Sequence, residues 1–259
     1  MPKFAANLSM LFTESEFMDR FKDAGDAGFR GVEYLFPDAF KSDEIADALA
    51  RNNLEQVLFN LPAGDWAAGE RGIACLPDRV GEFQDGVGQA IEYAKALDCK
   101  QINCLAGIRP AELDMDRAME CFSGNLLFAS KSLMENGIRL LHEPINHYDI
   151  PGYLINHTDQ ALAVFDAVGA DSVLLQYDIY HMQRMEGELA ATMTRLLSRI
   201  GHIQIADNPG RNEPGSGEIN YRYLLKLIDE IGYKGWVGCE YVPSNGTLAG
   251  LDWRVCLAE

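Results

Sequence analysis

The chain has 259 residues, 47% of them hydrophobic and 24% charged, a composition that suits a soluble globular protein and leaves length for one barrel or two smaller domains. Its 22 basic and 39 acidic residues give a formal charge of −17, and a surface of that sign repels phosphate backbones, which argues against a nucleic-acid partner. No stretch approaches the ~20 apolar residues of a membrane span. The start, Met1-Pro2-Lys3-Phe4-Ala5, lacks the long apolar core of a signal peptide. Six scattered cysteines without a C-x-x-C pair read as reduced thiols, so the expected location is cytoplasmic.

Short apolar runs alternate with amphipathic stretches. The first run, Phe4–Ser9, is followed by Thr13-Glu14-Ser15-Glu16, a capping-box pattern. It opens a helix with apolar face Phe17, Phe21, Ala24 and Ala27, its end flanked by Gly25 and Gly28. Gly31–Phe36 reads as a second strand, Asp43–Asn52 as a helix and Leu54–Leu61 as a third strand. Pro62–Pro77 is the longest irregular stretch, with Trp66, Glu70 and Arg71 among glycines, and a long loop after a strand reads as a lid over a site. Three helix–strand pairs follow: Asp78–Leu97 with Lys100–Gly107, Met115–Glu135 with Ile138–Ile145, and Thr158–Val168 with Val173–Tyr180. Glu186–Ser198 reads as a helix and His202–Asp207 as a strand, and the irregular Asp207–Asn220 carries turn chemistry. A helix at Tyr221–Ile231, a strand at Gly235–Val242 and a short helix within Thr247–Leu257 complete the series.

Strand–helix alternation in eight units predicts a (β/α)8 barrel, an α/β fold forming one domain over residues 1–259. A doubly wound sheet is the alternative. It would carry a glycine-rich phosphate loop after its first strand, where Asn7-Leu8-Ser9-Met10-Leu11 stands instead.

Four strands in the second half each carry one oxygen ligand: Glu143, Asp178, Gln204 and Glu240. A carboxylate in an apolar run is costly unless paired, hydrogen-bonded or bound to a cation. Strand C-termini of a barrel converge on one mouth, so these four form a hard, oxygen-only set suited to Mg2+ or Mn2+. Buried arginines or backbone amides are the other way to satisfy them. A bound ion polarises a carbonyl, and a nearby carboxylate moves a carbon-bound proton. That is aldose–ketose isomerase chemistry, with Glu143 and Glu240 as the proton-transferring pair. His181, three residues beyond Asp178, is expected to reach a substrate oxygen. Strand alternation is read as turning His142 and His202 toward the helices. Arg71 and Arg211 are candidates for gripping a substrate carboxylate, with Trp66 and Glu70 helping to close the lid. Asn7, Glu33, Asn60 and Asn103, on or at the ends of the first four strands, polarise a pocket wall or bond the backbone.

Residues 4–12 (Phe-Ala-Ala-Asn-Leu-Ser-Met-Leu-Phe), 60–72 (Asn-Leu-Pro-Ala-Gly-Asp-Trp-Ala-Ala-Gly-Glu-Arg-Gly), 143–147 (Glu-Pro-Ile-Asn-His), 176–187 (Gln-Tyr-Asp-Ile-Tyr-His-Met-Gln-Arg-Met-Glu-Gly), 217–221 (Gly-Glu-Ile-Asn-Tyr) and 235–241 (Gly-Trp-Val-Gly-Cys-Glu-Tyr) closely resemble the bacterial hydroxypyruvate isomerase family, which belongs to the xylose-isomerase-like barrels. The resemblance runs from Phe4 to Trp253. It implies interconversion of hydroxypyruvate, a small 2-oxo acid, and 2-hydroxy-3-oxopropanoate (tartronate semialdehyde). It implies that Glu143 and Glu240 donate and accept the proton. In metal-dependent relatives the positions matching Glu143, Asp178, Gln204 and Glu240 hold a divalent ion, and the position matching His181 contacts substrate. A homodimer and a role in glyoxylate metabolism are further implications. The related 2-oxo-tetronate isomerases share the four positions, but the Trp66 lid and the run Glu143–His147 look more like the hydroxypyruvate enzymes. The tail, Arg254–Glu259, departs from the family's usual ending.

Three further readings stand beside these: a ketose 3-epimerase on the same scaffold, a phosphodiester nuclease of related barrel type, and a non-catalytic sugar-acid binding module. Five histidines and a charge of −17 argue against the nuclease.

Overall fold

The computed structural model describes residues 2–169 and 173–257. The strands are β1 (Lys3–Asn7), β2 (Gly31–Glu33), β3 (Glu55–Asn60), β4 (Gln101–Cys104), β5 (Arg139–His142), β6 (Val173–Asp178), β7 (Ile200–Ile205) and β8 (Trp236–Cys239). They hydrogen-bond in chain order as a closed barrel, as the alternation of strands and helices predicts. Helices α1 (Arg20–Asp26), α2 (Ser42–Asn52), α3 (Val80–Ala96), α4 (Met115–Met134), α5 (Thr158–Ala167), α6 (Ile179–Met185), α7 (Leu189–Leu196), α8 (Tyr221–Glu230) and α9 (Trp253–Cys256) lie between or after them. Among the described residues no helix is long and apolar enough to cross a membrane. All six cysteines are free thiols.

Contacts divide the chain into two compact units, Met1–Val57 with Tyr177–Glu259, and Leu58–Gln176. In the first unit β1 pairs with β2 (Asn7↔Glu33) and with β8 (Ala5↔Gly238), and β8 pairs with β7 (Gln204↔Gly238). Phe17 stacks on Phe40 at 5.0 Å and meets Tyr34 edge-on at 5.3 Å, which anchors the segment before α1. The tail docks through Trp253, edge-on to Phe4 at 5.0 Å and donating from Nε1 to the Tyr241 hydroxyl at 3.0 Å.

Two helices differ from expectation. The pattern Thr13–Glu16 caps nothing. The chain turns until Asp19, and Glu14 instead accepts from Thr247 N at 2.7 Å and from Thr247 Oγ1 at 3.1 Å. A capping box needs Thr13 and Glu16 to flank a first helical turn, whereas here the chain runs as isolated turns, the Glu16 carbonyl accepting from Asp19 N at 2.9 Å, and no helix starts for them to cap. The second difference is α6. Ile179 and Tyr180 extend the apolar run of β6, yet the strand stops at Asp178, whose Oδ1 accepts from Tyr180 N (2.7 Å) and His181 N (3.4 Å). That is an N-cap, and it converts the strand end into a helix start. The expected helix Glu186–Ser198 is thus α7 continued by a 3-10 turn at Leu197–Arg199, separated from α6 by Glu186, Gly187 and Glu188, the last two at positive φ.

In the second unit β3 pairs with β4 (Asn60↔Asn103), β4 with β5 and β5 with β6 (His142↔Leu175). Asp114 caps α4 by accepting from Asp116 N and Arg117 N, and the helix buries Ala118, Phe122, Leu126, Ala129 and Leu133. His142 turns toward that face, as strand alternation predicts. Its ring lies 4.9 Å from Phe122 and 6.2 Å from Phe165, and its Nδ1 donates to the Cys104 carbonyl at 2.8 Å.

Burial pushes the His142 imidazole down to about 4, partly offset by the Cys104 carbonyl. An unfolded histidine titrates near ~6.5, so the unfolded chain takes up the proton first as pH falls. Stability is therefore lost between pH 6.5 and 4, by about 3 kcal/mol at the lower end for this residue alone. His142→Gln keeps a donor for Cys104 and removes the titration. Urea unfolding across that range is expected to give a shallower loss with acid than the parent shows, and parallel curves would contradict it.

Candidate active site

In the first unit the site is built on strand ends. Asp178 ends β6, Gln204 lies on β7, and Glu240 follows β8 directly. All three are buried. Asp178 Oδ1 serves the α6 cap, while Oδ2 is buried without a hydrogen bond, 3.7 Å from His181 Nε2 and 3.8 Å from Arg211 Nη2. Glu240 Oε2 accepts from Arg211 Nη2 at 3.1 Å, and its Oε1 accepts from Asn7 Nδ2 at 3.4 Å. Burial pushes Asp178 above the usual carboxylate range, against the pull of Arg211. Burial likewise drives Glu240 up to about 8; Arg211 opposes this, and the charges of Asp178 and Glu33 add to it.

His181 occupies the first turn of α6 and is buried. Burial, then the charges of Arg211 and Arg184, pushes its imidazole well below the ordinary histidine value, so the ring is neutral, with Nε2 3.5 Å from Arg211 Nη2. Arg211 itself adopts φ 54°, with its guanidinium 5.3 Å from the Tyr180 ring. Its loop is more organised than turn chemistry alone suggests. Asp207 accepts from Asn208 N, Gly215 N and Ile219 N at 2.8–3.0 Å, and Val242 N donates to the Arg211 carbonyl at 2.8 Å. The loop thus holds Arg211 against the acidic pair.

Beside these groups lies a polar cluster in which one residue differs from expectation. His202 does not face the helices. Its Nε2 lies 2.6 Å from Glu33 Oε2, fully buried. The reason is parity: His202 is two residues from Gln204 and shares its face, whereas His142 is one residue from Glu143 and opposes it. Gln204 Nε2 donates to Glu33 Oε1 at 2.8 Å, and Asn7 Nδ2 donates to the same oxygen at 3.1 Å.

In the second unit Glu143 follows β5 and is buried. Its Oε2 accepts from Gln176 Nε2 at 3.0 Å. Gln176 stands on β6 two residues before Asp178, so one face of that strand supplies both a holder for Glu143 and a ligand candidate. Tyr153 OH reaches the Glu143 carbonyl at 3.5 Å, and Asn103 Nδ2 donates to Asn60 Oδ1 at 3.0 Å. Gln176 and Tyr153 were not singled out by sequence; for Gln176 the i, i+2 spacing to Asp178 was the available signal.

The loop Pro62–Pro77 is ordered by its own side chains. Arg71 stacks over Trp66 at 4.0 Å and its Nη1 donates to the carbonyls of Trp66 (3.0 Å) and Glu70 (2.7 Å). Glu70 pairs with Arg79 and accepts from Asp65 N at 2.5 Å. Glu70 therefore clasps the loop to the start of α3, and Arg71 and Trp66 brace its turn.

A family model for the xylose isomerase-like TIM barrel matches residues 21–254. "Hydroxypyruvate isomerase" of Escherichia coli (strain K12) is 56% identical over 253 residues, 98% of each chain. "2-oxo-tetronate isomerase" of Cupriavidus necator is 47% identical over 98% of this chain and 97% of that one. A crystal structure from Brucella melitensis, described as an AP endonuclease, family 2, superposes with a TM-score of 0.96 at 46% identity over 99% of each chain. The chain belongs to the xylose isomerase-like TIM barrel family and is an enzyme of the isomerase class.

Proposed function

We propose that the chain interconverts hydroxypyruvate and 2-hydroxy-3-oxopropanoate. One observation carries this reading: nearly the whole chain is 56% identical to the Escherichia coli protein named for that substrate. Two buried glutamates supply the chemistry, Glu143 held by the Gln176 amide and Glu240 held by Arg211 and Asn7. One carboxylate takes a proton from C3 of hydroxypyruvate, leaving an enediolate across C2 and C3. The other delivers a proton to C2, while the hydroxyl proton is lost at O3 and one is gained at O2. The C3 hydroxymethyl becomes an aldehyde and the C2 ketone an alcohol, with no net redox change. His181, as a neutral imidazole, hydrogen-bonds a substrate oxygen. Arg211 is the cation for the substrate carboxylate, because it already stands 3.1 Å from the proton-transferring Glu240, whereas Arg71 donates to two carbonyls of its own loop.

The donor set also fits a divalent ion. Asp178 Oδ2 is a buried carboxylate oxygen without a hydrogen bond, and both Asp178 and Glu240 are pushed above the ordinary carboxylate range. Three carboxylates and an amide suit Mg2+ or Mn2+, and Glu143, Asp178, Gln204 and Glu240 would hold it. When bound, such an ion polarises the substrate carbonyl and stabilises negative charge developing on its oxygen. The reading brings with it a homodimeric, cytoplasmic enzyme of glyoxylate metabolism; light scattering of the purified protein checks the dimer.

The test is a 13C NMR assay of hydroxypyruvate with purified protein and Mg2+ or Mn2+, run in D2O. Formation of 2-hydroxy-3-oxopropanoate with deuterium at C2 is expected. Turnover of a four-carbon 2-oxo acid without turnover of hydroxypyruvate would instead support a 2-oxo-tetronate isomerase, the second reading, which the 47% identical relative favours. A nuclease is disfavoured by the charge of −17.

A further inference from the structure

Glu33 lies outside the ligand quartet and outside the proton-transferring pair, yet three buried side chains of the first unit converge on its carboxylate. His202 Nε2 contacts Oε2 at 2.6 Å, Gln204 Nε2 donates to Oε1 at 2.8 Å, and Asn7 Nδ2 donates to Oε1 at 3.1 Å. Glu33, His202, Gln204 and Asn7 are each no more than 2% exposed. Four polar groups at that depth are expensive unless mutually satisfied, so the cluster is a single arrangement rather than an adaptable one. The backbone is cut to fit it. Gly238, paired with both Ala5 and Gln204, leaves the space that Glu33 fills, and a Cβ there would collide with both carboxylate oxygens.

The carboxylate accepts only. The group of Gln204 facing Glu33 must therefore be the NH2, and the amide oxygen must be the atom turned away from Glu33. Asn7 extends the same constraint, because its Nδ2 also reaches Glu240 Oε1 at 3.4 Å. We propose that Glu33 is a positioning residue, which with His202 behind it locks the Gln204 amide oxygen-outward and steadies Glu240 through Asn7. This rests on the functional reading above and adds a residue to it. A metal cation or a substrate hydroxyl needs the amide oxygen; a flipped Gln204 would present a donor.

Three variants and two readouts test it. Partners that orient a ligand from behind typically cost about 10- to 100-fold in metal affinity or activity when removed. Glu33→Gln keeps the size but leaves one acceptor oxygen where two served, so its NH2 must face either His202 Nε2 or the Gln204 and Asn7 amides. Gly238→Ala keeps the charge and displaces the carboxylate. Each is expected to lower kcat/KM for hydroxypyruvate, and to weaken Mn2+ binding measured by calorimetry, by about 10- to 100-fold. The decisive measurement is a double-mutant cycle with Gln204→Ala. If Glu33 acts through Gln204, Glu33→Gln adds little to the Gln204→Ala loss. Full additivity in folded proteins, or unchanged kcat/KM and Mn2+ affinity in a folded Glu33→Gln protein, overturns the proposal. If Glu33→Gln does not fold, Gly238→Ala and its own cycle with Gln204→Ala decide on the same criteria. A parent protein that neither turns over hydroxypyruvate nor binds Mn2+ removes the functional reading first, and that result is distinct from a failed cycle.

Discussion

Glu240→Gln is expected to lower kcat by about a thousandfold or more, toward the upper part of the 10²–10⁴ that a positioned acid–base group contributes. The substitution keeps the volume of a fully buried side chain and removes its ability to carry a proton. The fold should survive it. Burial makes the Glu240 carboxylate unfavourable in the first place, so a neutral amide relieves a cost, while Arg211 keeps Asp178 as a neighbour at 3.8 Å. The loss should therefore appear in kcat with a melting temperature within a few degrees of the parent. Glu143→Gln, whose Oε2 partner is the Gln176 amide, is expected to lose turnover to a similar degree. Exchange in D2O separates their roles. The variant that lacks the acid should still wash out the C3 hydrogen of hydroxypyruvate without forming product, and the variant that lacks the base should do neither. A folded Glu240→Gln protein with full turnover would remove Glu240 from the chemistry.

What the sequence made legible follows from periods and burial costs. Eight apolar runs separated by amphipathic stretches are enough to predict a barrel, because each strand is buried on both faces and each helix on one. Glu143, Asp178 and Glu240 stood out because a carboxylate in such a run demands a partner. The partners were less legible. Gln176 and His202 share a strand face with Asp178 and Gln204 at i, i+2 spacing, and counting parity from each ligand would have found them. Other partners depend on folding that no local pattern encodes. Glu14, inside the Thr13–Glu16 pattern, pairs with Thr247, 233 residues away, and Glu70 pairs with Arg79. The stop of β6 was hidden because Ile179 and Tyr180 are as buried in a helix as they would be in a strand.

Asp178 is where that hidden stop and the chemistry meet, and its two oxygens predict two separable losses. Oδ1 caps α6 through Tyr180 N and His181 N, while Oδ2 makes no hydrogen bond and lies 3.8 Å from Arg211 Nη2. Asp178→Asn keeps a carbonyl oxygen for the cap and replaces Oδ2 by an NH2 close to Arg211 and His181. Turnover is expected to fall about a hundredfold or more, the several kcal/mol a cation supplies to a polarised carbonyl, and calorimetric Mn2+ binding should vanish with it. Stability should change little, since the removed charge was itself disfavoured by burial. Asp178→Ala should lose the same activity and, in addition, about 0.5–2 kcal/mol of stability from the missing cap. Because the cap fixes the first turn of α6, the alanine variant should also loosen His181, visible as faster amide exchange at Tyr180 and His181 than in Asp178→Asn. Exhaustive chelation of the parent should reproduce the activity loss of Asp178→Asn without its permanence, restored by Mn2+. Chelated parent at full turnover, with metal content checked, would assign the catalytic charge at this mouth to Arg211 instead.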